Sequence, residues 1–152
     1  GLVLNNTVRV NMLSAFYAKN SRRRFTNKRF EAGITDKWIK NLSIKTPSGE
    51  TRVESLSGGN QQKVVLSKCL ELEPEVMILN EPTRGIDVGA KAEIYRILDD
   101  LCRKGKCVIV ISSEMPELLG MCDRIMVMHE GQKKGELTRE EANQERIMAL
   151  CV

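Results

Sequence analysis

The run Leu56-Ser57-Gly58-Gly59-Asn60-Gln61-Gln62-Lys63 sets a serine and two glycines at the head of a long helical pattern. The first N–H groups of a helix have no partner within it, and the positive end of the helix dipole lies behind them. Such a segment is built to meet an anion, and phosphate is the natural guest. The same residues could equally be a Ser/Gly helix cap with no ligand. The next strand favours the anion. Val76-Met77-Ile78-Leu79 is an apolar run after the helix breaker Pro74, and it ends abruptly in Asn80-Glu81-Pro82-Thr83. A buried strand that delivers a carboxylate at its C-terminal end, where ligands sit in open α/β sheets, can hold a metal or a water against a phosphate.

On these residues the chain resembles a known family. Leu56 to Lys63 is similar to the signature motif of ATP-binding cassette (ABC) ATPases, and Val76 to Thr83 is similar to their Walker B strand. The continuation Arg84-Gly-Ile-Asp-Val-Gly-Ala-Lys-Ala-Glu-Ile-Tyr95, with Ser112-Ser-Glu-Met-Pro-Glu-Leu-Leu119, resembles the second cassette of monosaccharide importers of the ribose and galactose type. The resemblance runs from Gly1 to the C-terminus and implies the C-terminal part of such a cassette, its first half being absent from the sequence. It implies residues 1–73 as a mostly helical subdomain ending in the signature helix, and residues 74–152 as the C-terminal part of the α/β ATPase core. The fold class expected is therefore α/β, a partial P-loop NTPase core with parallel strands, a mostly α-helical subdomain and a C-terminal β-hairpin.

The resemblance also assigns roles. Phosphoanhydride hydrolysis is mainly positioning and charge neutralisation. Glu81 matches the catalytic glutamate, which orients or deprotonates the attacking water. Asn80 stands where the family has an aspartate that holds Mg²⁺; an amide keeps an acceptor oxygen and loses the charge, putting roughly tenfold or more in function at stake. Leu56, Ser57, Gly58, Gly59, Asn60 and Gln61 would face ATP held by the opposite cassette, since two cassettes meet head to tail. Asp87 matches the loop that crosses that interface, and it can also cap the helix that follows. Ser113 falls where most cassettes have a switch histidine contacting the γ-phosphate; serine can donate one hydrogen bond but carries no charge. ATP and Mg²⁺ are thus the implied ligands. A second cassette, membrane permease subunits and, indirectly, a sugar-binding protein are the implied partners.

No Gly-x-x-x-x-Gly-Lys-Ser/Thr occurs; Gly85-Ile-Asp-Val-Gly89-Ala-Lys91-Ala92 has the wrong spacing and no hydroxyl after the lysine. Without those amides and that lysine the main anion cradle is missing, so this polypeptide alone is expected to bind MgATP too weakly to matter.

Composition narrows the classes. The chain's 152 residues, 41% hydrophobic, are one domain's worth and enough for a core. No apolar run approaches a membrane span and no signal-peptide pattern opens the chain, so it reads as cytosolic and soluble, peripheral to the cell membrane through a permease. Cys69, Cys102, Cys107, Cys122 and Cys151 are odd in number with no CxxC pair, which predicts free, mostly buried thiols and no metal site. His129 reads as a strand-end residue. Residues 1–48 carry a net +8 against −4 for the remainder. The basic cluster Arg22-Arg23-Arg24-Phe25 with Lys28-Arg29 has little aromatic interleaving, so a solvated face is expected rather than nucleic acid, with docking near the permease or membrane a minor hypothesis.

The elements that must position these residues follow from periodicity. Thr7 to Tyr17 predicts a helix with Val10, Leu13 and Tyr17 on one face; Lys19 to Arg29 a polar connection; Asp36 to Leu42 a short helix with Ile39 and Leu42 inward. Leu56 to Leu72 is the signature helix. Gly89 to Lys104 is amphipathic through Ile94, Ile97, Leu98 and Leu101, ended by Gly105. Cys107 to Ser112 reads as a second buried strand, Met115 to Met121 as a short helix, and Arg124–Met128 with Lys133–Leu137 as a hairpin turning at Glu130-Gly131. Thr138-Arg-Glu-Glu141 reads as a capping box for a final helix. Strand, helix, strand is the parallel βαβ unit. Two rival readings remain open at this point: a soluble ABC protein acting on ribosomes or nucleic acid, and a non-catalytic module that only pairs with another cassette.

Overall fold

The computed structural model describes residues 1–20 and 27–151. Its elements run α1 (Val8–Lys19), α2 (Lys28–Asn41), a 3-10 turn (Val53–Ser55), α3 (Gly58–Leu70), β1 (Val76–Asn80), α4 (Val88–Arg103), β2 (Cys107–Ile111), α5 (Met115–Met121), β3 (Arg124–His129), β4 (Gln132–Thr138) and α6 (Gln144–Ala149). They form two compact units, one of residues 1–77 and 83–108 and one of residues 78–82 and 109–152.

The first unit is helical. Thr7 starts α1, its hydroxyl oxygen accepting from the Val10 N–H at 3.2 Å, and Asn27 starts α2, accepting from the Arg29 N–H at 3.0 Å. Helix α1 packs on both α2 and α3. The face it buries carries Val8, Asn11, Met12 and Leu13, whereas Val10 is exposed. This corrects the expected stripe through Val10 and Tyr17. The reason lies in Asn11, which hydrogen-bonds the backbone of Val3 in both directions at 2.8 and 2.9 Å and so makes a polar position part of the core. Helix α2 begins well before the expected Asp36, and its buried residues are Glu31 and Thr35 rather than an apolar pair, although Leu42 just beyond it is buried. Glu31 is satisfied by the Arg9 guanidinium and by the Tyr17 hydroxyl, the latter at 2.7 Å. The cluster Arg22 to Phe25 lies outside the described residues.

Strands β1 and β2 are neighbours. The Cys107 N–H donates to the Glu75 carbonyl at 2.9 Å and the Glu81 N–H to the Ile111 carbonyl at 2.7 Å. Both residue numbers rise together along the pair, so the strands are parallel. The expectation that both are buried is corrected. Met77 and Leu79 are buried, but Ile78 is 66% and Ile109 44% exposed. Side chains alternate between the faces of a strand, and among the described residues only one face of this pair is covered.

The second unit is built on the antiparallel β3–β4 hairpin, with Ile125 opposite Leu137 and Val127 opposite Gly135. Its turn takes positive φ at both Glu130 (47°) and Gly131 (75°), the twist that tight hairpins prefer. Ile125, Val127, Leu137 and Ile147 form its core, with Leu118, Leu119 and Leu150 packed against it. At Thr138 one of the two predicted capping-box bonds forms, the Glu141 carboxylate accepting from the Thr138 N–H at 3.0 Å, while the Thr138 hydroxyl donates to that carboxylate at 3.2 Å and the Glu141 N–H to the Thr138 carbonyl. They close a turn, however, and α6 starts later at Gln144, capped by Asn143. None of the five cysteines forms a disulfide, but none is buried either: Cys102 and Cys107 are exposed and the other three half-buried. Cys122 and Cys151 pack at the edge of the second unit's core without being enclosed by it, and the expectation of mostly buried thiols is corrected. His129 closes β3, as read from the sequence. No helix among the described residues is long and apolar enough to cross a membrane.

Candidate functional site

The head of α3 is assembled by its own motif. Leu56 is buried and anchors the approach, and the Gln61 side-chain amide donates to the carbonyls of Val53 (3.2 Å) and Leu56 (3.0 Å). Asn60 accepts from the Lys45 N–H at 2.8 Å and donates to the Ser57 hydroxyl oxygen at 2.9 Å. Ser57 occupies the N-cap in extended backbone, yet its side chain accepts no hydrogen bond from a backbone N–H of the helix. In α1, α2, α4 and α6 the residue at that place does cap. The first amides of α3 are therefore left without a side-chain acceptor, with Ser57 and Gly58 exposed above them. This is a surface that can receive the oxygens of an anion.

The two glycines have a packing reason as well. A Cβ on Gly59 would fall 2.5 Å from the Ala90 Cβ, and one on Gly58 would fall 3.3 Å from the Ile86 Cγ2. The head of α3 thus lies directly against the loop and first turn of α4. Asp87 starts that helix, its carboxylate accepting from the Ala90 N–H at 2.9 Å, so the capping role foreseen for it is filled. Deeper along the same contact, the Lys63 ammonium, 3% exposed, meets the Glu93 carboxylate at 2.6 Å and the Ser43 carbonyl at 3.0 Å. Its hydrogen bond and its charge hold the Glu93 carboxyl below the ordinary range.

In the second unit, Glu81 directly follows β1 with φ 49°, a left-handed backbone that costs a non-glycine residue on the order of 1–2 kcal/mol. It is held there from both sides. Its N–H donates to the Ile111 carbonyl, and its carboxylate accepts from the Ser113 N–H at 2.9 Å. Ser112 fixes the loop that supplies this donor: its hydroxyl bonds the Glu117 carboxylate, and it accepts from the Glu114 N–H at 3.0 Å. Glu81 and Ser113 are therefore brought together, but through the main chain of Ser113. Asn80 is exposed at the end of β1. Among the described residues no cluster of three or more His, Cys, Asp or Glu could hold a metal ion.

The residues thus fall into two groups. Leu56 to Gln61 and Asp87 belong to the first unit, and Asn80, Glu81 and Ser113 to the second. Two features escaped the sequence reading. Lys63 is a buried charge paired across helices, signalled only by its place one turn after Gly59. The Ser113 contact uses an N–H group that every non-proline residue has, so no side-chain pattern could reveal it.

Residues 2–84 match the family model described as ABC transporter. Over 151 residues the chain is 50% identical to the ribose import ATP-binding protein RbsA of Bacillus licheniformis, covering 99% of this chain and 31% of that protein. It is 51% identical over 150 residues to the L-arabinose transport ATP-binding protein AraG of Geobacillus stearothermophilus, covering 99% of this chain and 29% of that protein. The chain therefore spans about a third of the length of the curated relatives it matches. Among solved structures it is similar to an ATP-binding cassette of an ABC transporter in its ADP conformation, with TM-score 0.78 and 21% identity, covering 97% of this chain and 63% of that one. It is also similar to an inward-facing metal-chelate type ABC transporter, with TM-score 0.81 and 14% identity, covering 99% and 59%.

Proposed function

This chain belongs to the ABC transporter family of ATP-binding cassettes, and from that premise we propose that it is the C-terminal part of a cassette driving monosaccharide import. The observation that carries this reading is the head of α3, a signature-like sequence whose first amides no side chain caps. Those amides face ATP held by a second cassette, with Leu56, Asn60 and Gln61 setting the loop and Ser57, Gly58 and Gly59 meeting the phosphates. The import names of the relatives supply the substrate class. Residues 1–73 act as the helical subdomain and 74–152 as part of the ATPase core. The exposed face of β1 and β2 then packs against further cassette elements, in keeping with the greater length of the solved cassettes. The subunit sits on the cytoplasmic side of the cell membrane, bound to permease subunits served by a sugar-binding protein. The 152 residues alone, with no phosphate loop, are inactive in this reading.

For the ligands the residues present fit unequally. The uncapped amides suit phosphate oxygens. Asn80 offers Mg²⁺ a neutral acceptor, a weaker partner than a carboxylate. A magnesium ion, when bound, neutralises phosphate charge. Glu81 orients or accepts a proton from the attacking water, and Asp87 contributes at the cassette interface.

The test is reconstitution. The intact subunit in vesicles with its permease is expected to hydrolyse ATP faster when the sugar-loaded binding protein is added. Hydrolysis that ignores the permease and responds to ribosomes instead would sink the importer reading.

A second expectation follows from the backbone bond at Ser113. Ser113→Ala keeps the N–H that holds Glu81 and should leave ATP turnover within about twofold. Ser113→Pro removes it, and a hydrogen bond to a charged group is worth about 1.5–3 kcal/mol, so turnover should drop roughly 10- to 100-fold. Steady-state hydrolysis of the two variants, with circular dichroism to verify the fold, decides this. Equal activities would show that the amide does not position the carboxylate.

A further inference from the structure

The contact between α3 and α4 has two levels. At the first, Gly59 lies against Ala90 so closely that a Cβ there would stand 2.5 Å from the Ala90 Cβ. At the second, one turn further along α3, Lys63 reaches the Glu93 carboxylate at 2.6 Å. Residues four apart on α3 and three apart on α4 lie on single helix faces, so both levels belong to one seam. The N-cap positions of these two helices are held by Ser57 and Asp87. The lysine has little freedom: it is 3% exposed and also donates to the Ser43 carbonyl at 3.0 Å, while Ser43 holds the left-handed conformation at φ 49°.

A buried ammonium is costly to keep unless it is fully paired, and simple packing would be served as well by an apolar side chain. What an ion pair adds is register. Apolar side chains slide past one another with little change in energy, whereas a charge-assisted hydrogen bond 2.6 Å long does not. We propose that Lys63 and Glu93 are positioning residues, a clamp that fixes the register of α3 on α4 so that the amides after Ser57 and the carboxylate of Asp87 are presented as one rigid unit. The inference rests on the function proposed above, in which both groups meet nucleotide at a cassette interface. Ser57 and Asp87 touch the ligand side; Lys63 and Glu93 act through them. The glycine of the pair allows the close approach, and the ion pair sets where along the helix it occurs.

The experiment uses the intact subunit assembled with its permease. Lys63→Met keeps the aliphatic stem and removes the charge, Glu93→Gln alters the more accessible partner, and Lys63→Arg retains the pairing. Lys63→Met and Glu93→Gln are each expected to lower kcat about tenfold while KM for ATP stays within about twofold, since closed-state geometry is lost and initial nucleotide binding is not. The double variant should be no worse than either single one, because both remove the same interaction. Lys63→Arg should keep most of the activity. If Lys63→Met does not fold, Glu93→Gln with Lys63→Arg carries the test. Normal kcat in folded Glu93→Gln, or losses that add in the double variant, would overturn the clamp. Ser57→Asp is measured in parallel. If it alone abolishes turnover, the signature reading stands and only the clamp fails; if it has no effect, both fall.

Discussion

Ser57→Asp is expected to lower ATP turnover of the intact subunit by about 10²- to 10³-fold while leaving the fold as stable as before or more so. The two halves of this result have opposite causes. Aspartate is among the best N-cap residues, and a negative charge at a helix N-terminus is favourable, so α3 itself gains. The same charge repels a phosphate arriving at those amides. Two like charges about 4 Å apart at an effective dielectric near 20 interact by roughly 4 kcal/mol, which is between two and three powers of ten in rate. Ser57→Asn is the control, a good cap with no charge, and should leave turnover within a few-fold. A thermal melt and an ATPase assay on the three proteins separate a ligand-facing helix head from an ordinary cap. If all three hydrolyse ATP alike, Ser57 only starts a helix and the trans contribution is wrong.

That test matters because the cap and the anion site share the same residue types, and the sequence offered both. The structure sharpens the contrast, since Thr7, Asn27, Asp87 and Asn143 all cap their helices and Ser57 does not. Elsewhere the chain's punctuation was informative. Gly105, with φ 80°, ends α4, and Glu130 and Gly131 turn the hairpin where the residue pattern placed them. These elements were legible because the signals are local, a residue that tolerates positive φ at the end of a periodic run. The failures were nonlocal. The polar Asn11 and Glu31 are buried because partners from other segments satisfy them, which no hydrophobic periodicity can register. Lys63 belongs with them, its partner Glu93 lying on another helix. Apolar runs such as β1 and β2 predict burial on both faces; Ile78 and Ile109 show that an apolar strand can await a cover not present among the described residues. At Thr138 the glutamate half of a capping box forms without the helix it usually begins, because α6 is capped instead by Asn143.

Glu81→Gln is expected to cut turnover by about 10²- to 10⁴-fold, the range typical of losing a general base, with nucleotide binding little changed. The structure makes this substitution informative. The Ser113 N–H donates to one oxygen of the Glu81 side chain, and a glutamine oxygen can accept the same bond, so the variant should hold its place at the end of β1. What it loses is the ability to take a proton, and the fall in rate then reports chemistry rather than geometry. Asn80 supplies the complementary arm. Asn80→Asp restores a charge that can partner Mg²⁺, and a hydrogen bond to a charged group is worth about 1.5–3 kcal/mol, so turnover should rise about tenfold or more. Carrying both changes, the subunit should stay as inactive as Glu81→Gln alone, because a better-held ion cannot replace the missing base. If Glu81→Gln retains full activity, the carboxylate at the end of β1 is a structural residue, its left-handed backbone serving only the turn into Pro82. If Asn80→Asp raises the rate in the Glu81→Gln background, the water is activated from elsewhere and the proposed division of labour between the two neighbours fails.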